Sequence, residues 1–490
     1  MDKVVNFGKY RGKGKTFAQV LETDRSWLYW IHTNTKIPLP YDVVQELKRV
    51  RSISLDPEIP LTEQQRIAAQ ALIDGESVVV IGPAGTGKTQ ILRAIKGETT
   101  ARIAPTGIAA LNISGVTFHS IFKIDPNDPL IKIGRPLDRE VRVAMFDECF
   151  YSSASLIFRA LESILAWDSN VRFLFMGDPM QLKPVHARVD EKDLLELDDD
   201  EREIVGDLDA WKGSTLFDVL QHFKIPYRKV FLSKSIRHED PETFDIMMGA
   251  RVGALTEAQL KRLNERVTDT PPEDAFALVP TNAIRKELNR KYMEQFADTV
   301  QAFKPIQFVK INEPGATNEE RLEAFITKNP KMDFLRGKLK RSGFNFKAEE
   351  FAVGCKIMVT KNLSQYKIVN GDMGHIVKID DKAIHCHIDR QNCVVPIERI
   401  FGGFESRDKT VRIGLLNFPL RVAAAATIHK TQGITVFGPL HIHITPAMRK
   451  QEGLLYTAIT RVRTLSQLTF SDKVTNRHFC YDKKWAELLS

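Results

Sequence analysis

The chain of 490 residues is too long for one hydrophobic core, so two to four domains are expected. Its composition, with 43% hydrophobic and 27% charged residues, is that of an ordinary globular protein. The formal net charge of +8 favours a polyanionic partner without identifying one.

The five cysteines are sparse and include no CxxC pair, which predicts free thiols in a reducing compartment. No apolar run approaches the ~20 residues that a membrane helix needs, and the N-terminal residues lack the apolar segment of a secretory signal. We therefore expect a cytoplasmic protein without a membrane partner.

Residues 1–50 form the first predicted unit, a small module that is basic and aromatic before it turns helical. The first 51 residues hold ten Lys or Arg and five Asp or Glu. In residues 7–13, FGKYRGK, cations alternate with Gly and Tyr, a composition suited to phosphate contacts with an aromatic stack. Trp27 and Trp30 lie three apart on a predicted helix, and both are expected in the core.

From Leu61 onward, apolar strands alternate with helical segments, which predicts a three-layer α/β domain. LTEQQRIAAQALIDG is an amphipathic helix with Thr62 as its N-cap and Gly75 at its end. A second α/β set begins near YRKVFL and resumes at VAAAATI, with short β-runs between them. Among these runs, HCHID (residues 385–389), with Cys393 nearby, raises the alternative of a metal site, but its alternation fits a strand better.

Residues 82–89, GPAGTGKT, match the full pattern of a phosphate-binding loop between an apolar strand and helix-like sequence. The glycines let backbone N–H groups turn toward phosphate oxygens, and the helix start adds partial positive charge. Lys88 is expected to reach the β- and γ-phosphates of ATP, and Thr89 to ligate Mg²⁺. The predicted nucleotide-binding residues of the loop are Gly82, Pro83, Ala84, Gly85, Thr86, Gly87, Lys88 and Thr89.

A second strand-like run, VAMF, ends at Asp147 and Glu148. Asp147 is expected to hold Mg²⁺, and Glu148 to orient and deprotonate the attacking water. Gln181 follows another apolar strand and is a candidate γ-phosphate sensor, with a local cap as its alternative. Arg237 and Arg461 are further candidates, which pattern alone does not distinguish from surface charges.

The order of these motifs resembles that of superfamily 1 helicases of the PIF, RecD and Dda type. The resemblance extends over residues 58–475 and rests on the stretches LTEQQ, GPAGTGKT, APTGIAALNISGVTFHS, FDE, GDPMQLKPV, IRHEDPETF, LVPTNAIRKELN, GCKIMVTKNL with IVNGDMG, TIHKTQGIT and YTAITRVR. It implies an α/β fold with two RecA-like P-loop NTPase domains and an inserted SH3-like small β-barrel. The implied domains are residues 55–220 for the first, 221–300 and 416–490 for the second, and 301–415 for the insertion.

The resemblance also implies roles for single residues. Gln65 is expected to read adenine, Arg237 and Arg461 to reach the γ-phosphate, and Gly433 to belong to the nucleotide site. The implied partners are single-stranded DNA and its junctions with duplex, and the implied direction is 5′ to 3′ on a monomer. The residues implied to face DNA, or to relay cleft closure to it, are Thr106, His119, Asn282, His429, Lys430, Thr431 and Gln432. For each of these a local cap or turn role is the alternative.

Two stretches carry further expectations. Residues 122–140 are the expected strand-separating wedge, with Phe122 and Ile131 available to stack or pry, and a plain surface loop is the alternative.

The N-terminal module resembles the C-terminal module of exonuclease X-like (DnaQ-type) proteins, which implies a DNA-binding role or a replication or recombination protein as partner. The chain departs from the family after Glu148, where Cys149-Phe150-Tyr151 replaces the usual residues, so we expect an active ATPase whose coupling can differ.

The leading hypothesis is therefore an ATP-dependent DNA helicase of replication, recombination or repair. An RNA helicase or translocase of the same superfamily is one alternative. The other is an ATP-gated single-stranded nucleic-acid binding or loading factor that separates no strands, because sites rather than folds decide function.

Overall fold

The computed structural model describes residues 2–35, 37–48, 53–122, 124, 141–182, 211, 213–238, 240–311, 313, 315, 318–328, 348–405, 411–436 and 438–485. The chain divides into two compact units, Met1–Thr270 with Gln432–Ser490, and Pro271–Thr431. The predicted domain boundaries differ from this division and stay a prediction. The five cysteines are free thiols, as the sequence predicts.

The helices begin where the sequence offers caps. Thr62 caps the third helix by accepting from Gln65 N at 3.4 Å, and Gly75 follows its end with a φ of 108°. In chain order the helices of the described residues are α1 (Phe17–Asn34), α2 (Tyr41–Lys48), α3 (Glu63–Ile73), α4 (Lys88–Ala94), α5 (Gly107–Asn112), α6 (Phe118–Ile121), α7 (Ala154–Trp167), α8 (Leu216–His222), α9 (Pro241–Arg251), α10 (Glu257–Asn264), α11 (Asn282–Glu294), α12 (Asn318–Lys328) and α13 (Leu454–Ile459).

The strands are short and rich in apolar or β-branched residues. In chain order the strands of the described residues are β1 (Ser54–Leu55), β2 (Ser77–Ile81), β3 (Ile95–Lys96), β4 (Thr100–Ala104), β5 (Val116–Thr117), β6 (Val143–Phe146), β7 (Arg172–Gly177), β8 (Tyr227–Phe231), β9 (Phe276–Val279), β10 (Gln301–Phe303), β11 (Ile306–Ile311), β12 (Glu349–Phe351), β13 (Lys356–Val359), β14 (Met373–Ile379), β15 (Ala383–Ile388), β16 (Cys393–Glu398), β17 (Ile400–Glu405), β18 (Val411–Asn417), β19 (Leu420–Val422), β20 (Ala425–Thr427), β21 (Leu440–Ile442) and β22 (Leu468–Phe470).

A six-stranded parallel sheet organises the first unit. Its strand order is β5-β4-β6-β7-β2-β8, and β2 and β6 are buried along their whole length. Leu72 of α3 packs in the same apolar core as Val78 and Val80 of β2. Because the strands are parallel, the loops after β2, β6, β7 and β8 meet at one edge of the sheet, where ligands of such folds bind.

The N-terminal module belongs to the first unit and carries an aromatic cluster. The Tyr10 ring meets Trp27 edge-on at 4.9 Å, and the Tyr10 hydroxyl donates to Asp24 at 2.7 Å. The Lys9 ammonium pairs with the same carboxylate at 2.5 Å and lies 5.7 Å from the Trp27 ring. Trp30, predicted in the core, is 39% exposed, so the sequence prediction is wrong for this residue.

The second unit is built on antiparallel sheets. Five strands pair in the order β16-β15-β14-β13-β19, and three more pair as β11-β18-β17. Buried residues of the first sheet, among them Ile357, Ile376 and Ile384, form one apolar core. The strand predicted for HCHID is confirmed as part of β15. In this unit α11 contacts the short parallel pair of β9 and β20.

The wedge prediction is wrong for Phe122. This side chain is fully buried and packs against Phe118 with ring centroids 6.4 Å apart, so it is not available to stack on a base. Of residues 122–140 only Phe122 and Ile124 are among the described residues, and Ile131 lies outside them. Within the described part of the chain, no helix has the length and apolar character to cross a membrane.

Candidate active site

The phosphate-binding loop connects β2 to α4, as the sequence predicts. Gly85 and Gly87 adopt positive φ angles of 84° and 76°, a left-handed conformation that glycine reaches without steric cost. The Lys88 ammonium donates to the carbonyl oxygens of Gly82 and Pro83, at 2.7 and 2.9 Å. Burial lowers the pKa of Lys88, and the carboxylates around it act in the opposite direction. A phosphate would offer this ammonium acceptors that carry a full charge.

Gln65 supports the loop from α3. Its Oε1 accepts from Thr62 N at 2.9 Å, and its Nε2 donates to the carbonyl oxygens of Thr86 and Gly87 at 3.0 and 3.1 Å. The side chain is buried, with 1% of its surface exposed. Gln65 therefore holds the loop in shape. Both amide atoms of Gln65 already bond to the protein, so a contact with adenine would have to replace or share one of these hydrogen bonds. The predicted contact with adenine stays a prediction.

Thr89, Asp147 and Glu148 gather where β6 ends beside the start of α4. The Thr89 hydroxyl donates to Asp147 Oδ2 at 3.1 Å. Desolvation, together with the charge of Glu148, raises the pKa of Asp147 to about 6. A bound cation would stabilise the charged carboxylate, and carboxylate and hydroxyl oxygens are the ligands that Mg²⁺ prefers. The Thr89–Asp147 pair therefore fits the predicted Mg²⁺ site.

A buried network lies at the end of β7. Arg251 donates from Nε and Nη2 to Asp178 Oδ1 at 3.1 and 2.9 Å, and the Tyr456 hydroxyl donates to Asp178 Oδ2 at 2.7 Å. The Tyr456 oxygen also accepts from Ala84 N in the phosphate-binding loop at 3.4 Å. Desolvation acts to raise the pKa of Asp178, but the charges of Arg251 and Lys88 lower it overall. The network thus ties the loop to α9 and α13.

The predicted γ-phosphate sensors lie together in the first unit. Arg461 is 2% exposed and donates from Nη2 to Gln181 Oε1 at 3.2 Å. Arg237 donates from Nη1 to the carbonyl oxygen of Thr460 at 3.0 Å. Burial and the charge of Arg461 lower the pKa of Arg237 to about 10. A half-buried and a buried cation that repel each other favour an anionic ligand.

One cavity of about 640 Å³ collects these side chains. All six predicted catalytic residues line it, namely Lys88, Asp147, Glu148, Gln181, Arg237 and Arg461. The other predicted residues in its lining are Ala84, Gly85, Gly87, Thr89, Gln432 and Gly433. The cavity therefore combines a phosphate-binding loop, the Asp147–Glu148 pair and several cationic side chains, among them Lys88, Arg237 and Arg461. Such a set can bind and hydrolyse a nucleoside triphosphate.

Gln432 lines this cavity. The sequence resemblance implied that it faces DNA or relays cleft closure to it. Its side chain is 4% exposed, and its Oε1 is buried without a hydrogen-bond partner among the described residues. The neighbouring Gly433 has a φ of 80°, and its carbonyl oxygen accepts from Asn112 Nδ2 at 3.4 Å. A side chain at Gly433 would point toward the Glu148 carboxylate, 3.7 Å away. Gln432 thus lies in the cavity lining, and its implied role, to face DNA or to relay cleft closure to it, stays a prediction.

The remaining DNA candidates of the first unit lie on short helices. The Thr106 hydroxyl accepts from Ala109 N at 3.2 Å and so caps α5. His119 is half-buried on α6. Capping of α5 is a structural role for Thr106 that needs no DNA. Contact of Thr106 or His119 with DNA stays a prediction.

In the second unit, Asn282 and Thr431 have different surroundings. Asn282 is exposed at the start of α11, where its Oδ1 accepts from Arg285 Nε at 3.2 Å. Thr431 is completely buried, and its hydroxyl donates to the carbonyl oxygen of Ile428 at 2.9 Å. The Thr431 side chain therefore closes a local turn, which is the alternative role given above. Its implied role in relaying cleft closure to DNA stays a prediction.

His429 and Lys430 remain candidates for an anionic partner. Lys430 is exposed, and desolvation lowers its pKa, helped by the charges of Arg421 and Arg285. His429 is half-buried, and desolvation lowers its pKa as well. Lys430, Arg285 and Arg421 therefore form a cationic patch that a phosphate backbone would stabilise.

Sequence reasoning missed the Asp178–Arg251–Tyr456 network. Asp178 lies in the motif GDPMQLKPV, and Tyr456 is the first residue of YTAITRVR. No spacing in the sequence indicates that these two residues contact Arg251. It also missed Asn112 and Arg463, which line the cavity. Only the folded chain shows that residues from these distant segments meet.

The family described as "AAA domain" matches residues 60–201. An ATP-dependent DNA helicase Pif1 of Bdellovibrio bacteriovorus is 26% identical over an alignment of 433 positions, which covers 84% of this chain and 88% of the relative. PIF7 of Trypanosoma brucei brucei, also an ATP-dependent DNA helicase, is 22% identical over an alignment of 504 positions with gaps, which covers 86% of this chain but only 47% of the relative.

Among solved structures, the Pif1 helicase of Bacteroides in complex with ADP-AlF3 and single-stranded DNA aligns with a TM-score of 0.63 at 23% identity, covering 88% of this chain and 97% of that one. This likeness shows that the fold is that of the Pif1 helicases, with RecA-like α/β domains. The two sequence relatives are both named ATP-dependent DNA helicases, Pif1 and PIF7. The resemblance of the N-terminal module of this chain to exonuclease X-like proteins stays a prediction.

Proposed function

We propose that this chain is an ATP-dependent DNA helicase of the Pif1 type, which moves 5′ to 3′ along single-stranded DNA and separates duplex strands. The observation that carries the proposal is the cavity in which all six predicted catalytic side chains meet. A phosphate-binding loop alone identifies a nucleotide site, whereas a water-orienting carboxylate with two arginines and a glutamine identifies hydrolysis. The sequence relatives named above are helicases on DNA.

In this proposal each side chain acts on a defined part of Mg-ATP. Lys88 leaves the carbonyls of its own loop and pairs with the β- and γ-phosphates. Thr89 and Asp147 would hold Mg²⁺, which neutralises charge on the phosphates when bound. Glu148 orients the attacking water and accepts its proton. Arg237, Arg461 and Gln181 stabilise the charge that develops on the γ-phosphoryl group.

Coupling to DNA follows from the order of residues in TIHKTQGIT. Lys430 belongs to a cationic patch with Arg285 and Arg421, and Gln432 lines the nucleotide cavity two positions later in the sequence. A shift of Gln432 on ATP binding or hydrolysis could therefore move Lys430, the proposed DNA contact, through the single residue between them. Lysine contacts with a phosphate backbone are independent of base sequence, as a translocating motor requires.

The proposal extends to the DNA substrates, the cellular location and the oligomeric state. Single-stranded DNA and its junctions with duplex are the proposed substrates, and the protein works inside the cell at DNA, as a monomer, in replication, recombination or repair. One structural neighbour is described as two coordinating Pif1 helicases at forked DNA, so the oligomeric state on a fork should be measured.

The N-terminal module is proposed to bind DNA or a replication or recombination protein. Its Lys9, Tyr10 and Trp27 form a compact cationic and aromatic cluster of the kind that stacks bases and pairs with phosphates. Deletion of residues 1–50 is expected to lower DNA affinity or processivity while ATP hydrolysis is retained. Unchanged affinity and processivity would remove this part of the proposal.

ATP hydrolysis with and without nucleic acid tests the proposed function. The wild-type protein should hydrolyse Mg-ATP, and single-stranded DNA should stimulate it more than single-stranded RNA of the same sequence. Glu148→Gln, which keeps the shape of the side chain, should abolish hydrolysis and retain ATP binding. Stimulation by RNA alone would favour the RNA helicase, and stimulation by DNA without strand separation would favour the loading factor.

A further inference from the structure

Three potential metal ligands meet on the five-stranded sheet of the second unit. His375 on β14 and His387 on β15 are directly opposite each other in the strand register, and their rings stack at a centroid distance of 4.9 Å. Asp389 follows β15 and lies two residues beyond His387, on the same side of the extended chain. One ligand atom from each of these three residues lies within 4.8 Å of the other two.

The hydrogen bonds of His387 prepare it as a ligand. Its Nε2 lies 3.1 Å from the Oδ1 of Asn392, and a hydrogen bond to this acceptor places the single proton of a neutral ring on Nε2. In that tautomer Nδ1 holds a lone pair, and this buried atom has no hydrogen-bond partner among the described residues. A carboxylate oxygen of Asp389 lies 3.6 Å from that lone pair. Two electron-rich atoms that face each other at this distance are stabilised by a cation between them.

We propose that His375, His387 and Asp389 bind a divalent transition-metal ion of the Zn²⁺ class, with solvent completing the coordination. Two imidazoles and one carboxylate are donors that such ions prefer over Mg²⁺ or Ca²⁺. Bond lengths of about 2.0–2.2 Å to the metal place neighbouring ligand atoms roughly 3.3–3.5 Å apart, so small side-chain rotations suffice from the observed spacing. Asn392 orients the ring of His387, as outer partners of metal-bound histidines do.

The proposed site overlaps only in part with the cluster that the sequence brought to notice: His387 and Asp389 belong to HCHID, whereas His375 does not. His385 of HCHID bonds to Asp380 at 2.7 Å, and Cys386 is fully buried in the apolar core. His375 stands ten residues before HCHID and reaches the site through strand pairing, which no sequence spacing shows. The bound ion would clip β14 to β15 and so stabilise the second unit, independently of the nucleotide cavity.

Calorimetric titration of the full, tag-free chain with Zn²⁺ in excess Mg²⁺ tests this site, because Mg²⁺ occupies the carboxylates of the nucleotide cavity. We expect one Zn²⁺ site in the wild type, an increase in melting temperature on binding, and loss of both in His375→Ala and His387→Ala. His385→Ala, on the same strand but bonded to Asp380, is the matched control and should bind as the wild type does. Asn392→Gly keeps the left-handed backbone and should weaken binding roughly 10- to 100-fold.

Titration with Co²⁺ separates a built site from surface binding. Visible absorption of a four- or five-coordinate Co²⁺ complex is expected in the wild type and in His385→Ala, and not in His387→Ala. Equal Zn²⁺ affinity in all variants, or no binding by a wild-type chain that melts cooperatively, would overturn the proposal. If the wild type binds no Zn²⁺, the contact between His387 Nδ1 and Asp389 is an ordinary ion pair with a proton on Nδ1.

Discussion

Arg461 donates to the side-chain oxygen of Gln181 at 3.2 Å, which joins two residues that stand 280 positions apart in the sequence. Both side chains line the nucleotide cavity, and Arg461 is held there by a second bond from its Nε to the carbonyl oxygen of Thr457 at 2.8 Å. The guanidinium is thus fixed before a nucleotide binds, as electrostatic stabilisation of a transition state requires.

Arg461→Lys is expected to lower kcat for ATP hydrolysis by about 100-fold or more, with a smaller effect on KM. Lysine keeps the charge but cannot make the planar, two-sided contacts of the guanidinium. Steady-state kinetics with single-stranded DNA measure the effect, and the exposed Arg477→Lys is the control. A variant with wild-type kcat and an unchanged melting temperature would contradict the assigned role.

Gln432→Ala is expected to reduce kcat/KM for ATP by roughly tenfold, which corresponds to about 1.4 kcal/mol. The reason is that its buried Oε1 lies in the cavity lining without a protein partner among the described residues. Binding of single-stranded DNA without nucleotide, measured by fluorescence anisotropy, should stay at the wild-type level. Weaker DNA binding with unaltered ATP kinetics would contradict this expectation and support the alternative that Gln432 faces DNA.

Lys430→Ala should show the opposite pattern. Loss of one cation from the patch with Arg285 and Arg421 is expected to weaken DNA binding and to reduce the slope of log affinity against log salt by about 1. The KM for ATP without DNA should not change. The measurement is a salt series of binding isotherms, with the exposed Lys473→Ala as control; an unaltered slope would place Lys430 away from DNA.

Asp147→Asn is expected to stabilise the protein at neutral pH. The folded protein binds a proton at Asp147 more tightly than the unfolded chain, because the pKa is raised from 3.8 to about 6. The wild type therefore loses stability as pH rises from about 4 to about 6, by up to about 3 kcal/mol, and the variant does not. Urea unfolding of both proteins at pH 5 and 7.5, without Mg²⁺, measures the difference. If the variant exceeds the wild type in free energy of unfolding by the same amount at both pH values, the raised pKa of Asp147 would be contradicted.

Tyr456→Phe is expected to lower the free energy of unfolding by about 1–3 kcal/mol, because it leaves the buried Asp178 Oδ2 without its donor. The KM for ATP should rise as well, since the hydroxyl also contacts Ala84 N in the phosphate-binding loop. Urea unfolding and ATP kinetics measure the two effects. The half-buried Tyr481→Phe is the control and should change stability by less than about 0.5 kcal/mol.

The parallel sheet and the gathering of Lys88, Asp147, Glu148 and Gln181 were predictable from the sequence, because each of these residues lies beside an apolar strand of the sheet. Arg237 and Arg461 entered only through the family resemblance. The surroundings of Gln65, Thr431 and Gln432 were not predictable, since a polar side chain beside a loop can serve the loop, the nucleotide or the DNA equally well. Which one it serves depends on burial, and burial is decided by packing against residues far away in the sequence. Phe122 shows the same limit, because a Pro- and Gly-rich stretch gave no sign that its first residue is buried.

The measurement that tests the central claim most directly is strand displacement on two partial duplexes, one with a 5′ single-stranded tail and one with a 3′ tail. With Mg-ATP, we predict unwinding of the 5′-tailed duplex only, and none by Lys88→Ala. Unwinding from the 3′ tail alone would contradict the proposed direction. DNA-stimulated hydrolysis without unwinding of either duplex would contradict the helicase itself and leave an ATP-gated loading factor.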